Sequence, residues 1–173
     1  MSLTDNPSAD ADSAYRELLA HMRAGLAGVA DPAIVGIFSG GAWIAERLAA
    51  DLGLAGRLGF IDVSFYRDDY AKKGLHPDVK PTHIPFNVDG ATIVLVDDVL
   101  QTGRTTRAAI NVLFDYGRPA AIRLAALADR GGRELPVAAD FVGTRATLAA
   151  NQSLCLQRDA SGQLSLTIEE DNA

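Results

Sequence analysis

Cysteine is nearly missing from this chain: Cys155 stands alone among 173 residues. No disulfide can form within it, and a reducing, cytoplasmic setting is the simplest expectation. As a lone thiol in a C-terminal strand, Cys155 is expected to be inert. No apolar run approaches the ~20 residues that a membrane-crossing helix needs, so a membrane partner is not expected. The first twelve residues contain no Lys or Arg and no apolar centre, which is not the pattern of a secretory signal. Two nucleotide-binding signatures are absent as well. There is no Gly-Lys-Ser/Thr of a phosphate-binding loop, and no Gly-x-Gly-x-x-Gly follows a strand. Internal repeats and low-complexity tracts are lacking too.

What remains is the composition of an ordinary soluble globular protein, 48% hydrophobic and 22% charged. A chain of this length is expected to form one domain with a substantial core. The net charge of −6 is a property of the ends. Residues 1 to 12 hold three Asp and no base, and residues 169 to 173 hold Glu169, Glu170 and Asp171. Without them the body carries 16 charges of each sign. A neutral body argues against indiscriminate nucleic-acid binding while leaving room for a local basic face. Residues 1 to 12 are read as a frayed acidic tail, and residues 13 to 170 as the folded domain.

The chemistry concentrates in residues 92 to 106. Thr92 to Val96 is an unbroken apolar run, the pattern of a parallel strand covered on both faces. Asp97 and Asp98 follow at its carboxyl end, where open α/β sheets bind ligands. Then comes a turn, Gln101-Thr102-Gly103-Arg104-Thr105-Thr106, opening a helix read over 103 to 116. The first turn of that helix presents free N–H groups and the positive end of the peptide dipoles. The three threonines add hydroxyl donors, and Gly103 lets backbone approach a ligand closely. This is a phosphate cradle beside two acceptor-only carboxylates, and the carboxylates suit vicinal sugar hydroxyls. A phosphorylated sugar satisfies both halves.

This stretch closely resembles the phosphoribosyl-diphosphate (PRPP) signature of type I phosphoribosyltransferases. The resemblance implies that Asp97 and Asp98 hold the ribose hydroxyls while residues 101 to 106 wrap the 5′-phosphate. It also implies a type I phosphoribosyltransferase fold, an α/β architecture with a central parallel sheet flanked by helices and a small C-terminal hood. The alternation along the chain agrees with such a sheet. Helical spacing covers residues 13 to 28 and 42 to 52, and strands are read at 33 to 37, 59 to 66 and 122 to 127. The segments 129 to 145 and 150 to 168 leave this alternation and suggest an appended lobe, with a strand pair around Asp159 to Gly162.

Ser39-Gly40-Gly41, between a strand and a helix, offers backbone N–H groups that can bind a diphosphate. The polar loop from Arg67 to Asn87 is long for a compact domain. It carries Arg67, Asp68, Asp69, Lys72, Lys73, His76 and Lys80, able to close over an anion. Phosphoribosyltransferases place a mobile loop here, and its closure excludes water from an activated sugar.

Three further strings narrow the resemblance: Asp62-Val63-Ser64-Phe65-Tyr66-Arg67-Asp68-Asp69, Phe114-Asp115-Tyr116-Gly117-Arg118-Pro119-Ala120 and Asp129-Arg130-Gly131-Gly132-Arg133-Glu134-Leu135-Pro136. They are similar to the PyrR family, uracil phosphoribosyltransferases that in some bacteria also attenuate the pyrimidine operon. The similarity runs from about residue 15 to 170. It implies that uracil and PRPP give UMP and diphosphate, with Asp129, Arg130 and Gly131 opening the hood (129 to 168) over the base. Arg67 is implied to assist the diphosphate and Mg²⁺, the metal being held by PRPP and water with no direct protein ligand. A homo-oligomer, dimer or higher, is implied too.

Departures from the family pattern bear on RNA. Ser39-Gly40 replaces the Thr-Arg that many relatives carry, and Gly132 stands in place of a usual His. The string Val137-Ala138-Ala139-Asp140 lacks an Arg that the pattern brings, and Gly143-Thr144-Arg145 replaces Gly-Lys-Asn. These positions belong to the RNA face of the regulators, and losing cations weakens RNA affinity. Arg123, Arg133 and Arg145 remain as possible RNA contacts, with Arg130 beside them. Two alternatives stay open: a UMP-sensing RNA-binding attenuator with little catalysis, and a phosphoribosyltransferase for purines.

Overall fold

The computed structural model describes residues 7–64 and 80–171. Five parallel strands make the main sheet, in the order β2-β1-β3-β4-β5. They are β1 (Ala33–Ile37), β2 (Leu58–Ile61), β3 (Thr92–Leu100), β4 (Ala121–Asp129) and β5 (Phe141–Arg145). Helices α1 (Pro7–Gly25) and α2 (Gly40–Leu52) share one core with the hairpin formed by β6 (Gln152–Arg158) and β7 (Leu164–Glu170). Helix α3 (Arg104–Tyr116) packs into the other core.

β3 shows why its sequence does not alternate. Val94 and Val96 enter the core of α1 and α2, while Ile93 and Leu95 enter that of α3. Successive strand residues face opposite sides, and here both sides are dry. α1 meets the sheet through Leu18 and Met22, both without solvent exposure.

The order β2-β1-β3 makes the sheet reverse direction between β1 and β3. The chain runs outward from β1 to β2 and then returns to β3 on β1's other side. Ligand crevices of α/β sheets open at the carboxyl ends of such a strand pair. The segments at the carboxyl ends of β1 and β3 are residues 38–41 and 97–103, and the Gly40-Gly41 turn packs on Asp97 and Asp98.

Three boundaries differ from the sequence reading. α1 begins at Pro7, inside the stretch read as a frayed tail, because Asp10 and Ala11 are already buried. Residues 141 to 145 do not leave the α/β pattern. They return as β5 and pair in parallel with β4, from Ala125 opposite Phe141 to Asp129 opposite Arg145. No helix joins β4 to β5, so the alternation that sequence reading follows is broken while the sheet continues. The strand read to Tyr66 ends at Ile61 among the described residues. The strand pair near Asp159 is present as β6 and β7. Its turn is tied by the Asp159 carboxylate, which accepts from the N–H groups of Ser161 and Gln163 at 2.8 and 2.9 Å.

Candidate active site

The acidic pair ends β3. Asp97 is 7% exposed, and its Oδ1 accepts the Asp98 N–H at 2.9 Å. Asp98 is half-buried, with Oδ1 accepting the Val99 N–H at 2.8 Å. These bonds within the strand end fix both carboxylates before any ligand arrives.

The β1 loop lies directly on them. A Cβ at Gly40 would overlap the Asp98 carboxylate, and one at Gly41 would run into the Val96 carbonyl and stand 3.1 Å from the Asp97 Cα. Only glycine permits this approach. Ser39, exposed, caps α2 without a side-chain bond, and its carbonyl accepts the N–H groups of Ala42 and Trp43 at 3.1 and 3.3 Å. The loop also contains a cis peptide between Phe38 and Ser39. The expected diphosphate loop and the acidic pair therefore touch.

On the other side the chain turns at Gly103, whose φ of 90° is a left-handed conformation, and enters α3. Thr102 Oγ1 accepts the Arg104 N–H at 3.2 Å. Gln101 and Arg104 are exposed, Thr102 and Thr105 half-buried, and Gly103 and Thr106 buried. Thr106 Oγ1 is buried without a hydrogen-bond partner. Arg104 Nε bonds Glu134 Oε2 at 2.8 Å.

The segment after β4 folds back over this turn. Leu100 O accepts the Arg130 N–H at 3.1 Å, and Thr102 O accepts those of Glu134 and Leu135 at 3.0 and 3.1 Å. Asp129, 7% exposed, is the pin. Its carboxylate accepts the Gly131 N–H at 3.0 Å, Arg133 Nη2 at 2.7 Å and Arg145 Nη1 at 3.1 Å. Burial alone pushes this carboxyl upward. The Arg133 hydrogen bond, the Gly131 N–H and the two guanidinium charges outweigh it and hold the group below its ordinary value.

The expected base-binding trio, Asp129, Arg130 and Gly131, ends β4 and opens the segment that folds over the Gly103 turn. The Asp129 side chain and the N–H groups of Arg130 and Gly131 are already engaged, and Asp129 O accepts the Ala146 N–H at 3.0 Å. Arg133, grouped with possible RNA contacts, instead binds three acceptors. Besides Asp129, its Nε donates to Val137 O at 2.8 Å and its Nη1 to Gln101 O at 2.9 Å. One guanidinium joins the end of β4, the phosphate turn and the covering segment, which a planar fork of donors suits. The Asp129 to Arg133 spacing was the only sequence trace of this. Arg123 is also taken up: its Nη1 donates to Gly25 O at 2.8 Å at the end of α1. Arg145 pairs with Asp129 while its side chain stays 72% exposed. Arg67 lies outside the described residues, as does most of the expected mobile loop.

Burial, with the nearby Glu169 charge, pushes the Cys155 thiol above its ordinary value. An unactivated thiol agrees with the expectation of inertness. No described helix is long and apolar enough to cross a membrane.

Residues 8–157 match the phosphoribosyl transferase domain family. The chain is 56% identical over 155 residues to the bifunctional protein PyrR of Ralstonia nicotianae, with 88% of each chain covered. It is 45% identical over 161 residues to the bifunctional protein PyrR of Pseudomonas fluorescens strain Pf-5, covering 93% of this chain and 95% of that one. Among solved structures it is similar to the hypoxanthine phosphoribosyltransferase of Trypanosoma cruzi, with TM-score 0.63, 18% identity and 94% of both chains covered. A purine phosphoribosyltransferase from Pyrococcus horikoshii superposes with TM-score 0.59 at 28% identity, covering 84% of this chain and 86% of that one. At 18% identity the trypanosomal likeness concerns the fold alone.

Proposed function

Since the chain belongs to the phosphoribosyl transferase family, and within it to the PyrR proteins, we propose that it converts uracil and PRPP to UMP and diphosphate. The observation that carries this reading is the close packing of the Gly40-Gly41 loop on the acidic pair, with the left-handed Gly103 turn following that pair along the chain.

The 5′-phosphate sits at the start of α3 on N–H groups of residues 101 to 106 other than that of Arg104, which Thr102 takes, and the helix end favours an anion there. The Thr102, Thr105 and Thr106 hydroxyls surround it. Asp97 and Asp98 accept hydrogen bonds from the ribose hydroxyls, and Ser39, Gly40 and Gly41 hold the diphosphate. Uracil lies beside Arg130 and Gly131. Their N–H groups are spent on the protein, so carbonyls of this segment are left to accept the N3–H of the base. In the reaction the bond between C1′ and the diphosphate oxygen breaks with its electron pair on diphosphate. Uracil N1 bonds to C1′ and gives up its proton. The sugar becomes cationic in passing, so the chain's work is to position both partners and to stabilise charge.

Mg²⁺ bound with PRPP would neutralise charge on the departing diphosphate. Among the described residues no three His, Cys, Asp or Glu side chains gather into a metal cage. A two-carboxylate donor set fits an ion that arrives on its substrate and keeps several waters.

Regulation through RNA is the second activity that the PyrR resemblance implies. Of the possible contacts, Arg123 and Arg133 bind carbonyls and a buried carboxylate of this chain, while Arg145 keeps its side chain 72% exposed. The test is diphosphate release with Mg²⁺ and PRPP against uracil, hypoxanthine, guanine and orotate. Uracil-dependent release is expected. Release with a purine alone, or UMP binding without release, would replace this reading.

A further inference from the structure

We propose that Lys80 supplies the cation of the diphosphate subsite, an inference that rests on the transferase reading above and deepens it. The loop assigned to the diphosphate, Ser39-Gly40-Gly41, contains no basic side chain. It also lies against a carboxylate, since Gly40 packs on Asp98. A diphosphate placed there has backbone N–H groups on one side and a negative charge on the other. Positive charge must enter from elsewhere in the chain as well as with the metal.

Lys80 is brought to that place by a built arrangement. Phe60 and His83 exchange backbone hydrogen bonds at 2.8 Å in each direction, which lays the segment before Ile84 antiparallel along β2. Asp62, just past β2, ties that segment down. Its Oδ2 accepts the Lys80 N–H at 2.8 Å, its N–H donates to Thr82 Oγ1 at 3.2 Å, and its Oδ1 accepts the Ser64 N–H at 2.7 Å. The backbone of Lys80 is therefore fixed while its side chain stays exposed. The ammonium stands 5.2 Å from the centre of the Phe38 ring, within cation–π range. Phe38 immediately precedes the diphosphate loop, and its own ring is held by stacking on Phe60 at 5.4 Å. The aromatic face thus parks the ammonium at the loop's entrance, and a flexible four-carbon stem needs only a rotamer change to meet an anion there.

The test is calorimetric titration, with Mg²⁺ present, of PRPP, diphosphate and UMP into the wild type, Lys80→Met and Lys80→Arg. UMP has no group at the diphosphate loop and serves as the internal control. Lys80→Met is expected to weaken PRPP and diphosphate about tenfold or more, the scale of one charge-assisted hydrogen bond. UMP affinity should be unchanged, and Lys80→Arg should restore most of the loss. Unaltered PRPP and diphosphate affinity in Lys80→Met would overturn the assignment, and so would an equal loss of all three ligands. A wild type that binds neither PRPP nor UMP would instead remove the transferase reading itself.

Discussion

Asp97 and Asp98 are neighbours in sequence but not in environment. Asp97 is buried and Asp98 half-buried against Gly40. Both accept N–H groups from the strand end, and an asparagine oxygen can accept the same bonds, so exchanging carboxylate for amide removes charge without disturbing shape. Asp97→Asn with Asp98→Asn should abolish PRPP-dependent transfer and leave the melting temperature close to wild type. Retained activity would overturn the assignment of the pair to the ribose. Arg133 teaches the opposite lesson. A basic residue in a loop reads as a surface cation, yet three acceptors from three segments occupy it. Its partner Gln101, 32 positions away, is set by folding, and no spacing in the chain announces it.

At the scale of elements, the site depends on how closely α2 approaches the sheet. Gly36 in β1 faces α2, and a Cβ there would stand 2.7 Å from both the Ala42 Cα and the Ala45 Cβ and 2.9 Å from the Gly41 carbonyl. These are mostly backbone or near-backbone atoms, so they cannot rotate away. Gly36→Ala is expected to cost about 1–3 kcal/mol of stability by overpacking. It should also displace the start of α2, raising KM for PRPP more than KM for uracil. Equal changes in both, measured at a temperature where the variant is folded, would show that the diphosphate loop tolerates the shift. β5 marks the limit of element reading. The alternation of strand and helix predicts the strands β1 to β4 and helices α2 and α3, but a strand that follows β4 without an intervening helix is recognised only by its pairing.

For the whole molecule, acid stability follows from the Asp129 pin. Its folded value lies below the ordinary carboxylate value, so its ion pairs stabilise the fold at neutral pH. That contribution fades as pH falls through the unfolded value near 4 toward the lower folded one. Thermal melts between about pH 5 and 3 should therefore fall more steeply for the wild type than for Asp129→Asn, which starts less stable at pH 7. Parallel curves would mean that the pin does not govern the acid limb. Assembly belongs to this scale too. Light scattering at assay concentration is expected to give a mass above that of one chain, and a monomer would contradict the homo-oligomer that the family resemblance implies. Phe114 and Tyr116, 54% and 50% exposed on α3, are large apolar groups that one chain leaves uncovered.

Local chemistry alone was enough to write the acidic pair, the glycine turn before α3, the Gly-Gly loop before α2 and the doubly buried β3. Each depends on residues a few positions apart: an apolar run, two carboxylates at its end, and a residue that tolerates positive φ. Folding decided what depends on distant pairs. It packed the Gly40-Gly41 loop on the acidic pair through the reversal of strand order between β1 and β3, and it tied Arg123 to the Gly25 carbonyl and Arg133 to that of Gln101. It also carried Lys80 to Phe38 by way of Asp62. Such contacts join residues 18 to 98 positions apart, and backbone geometry near any one of them contains no record of the other.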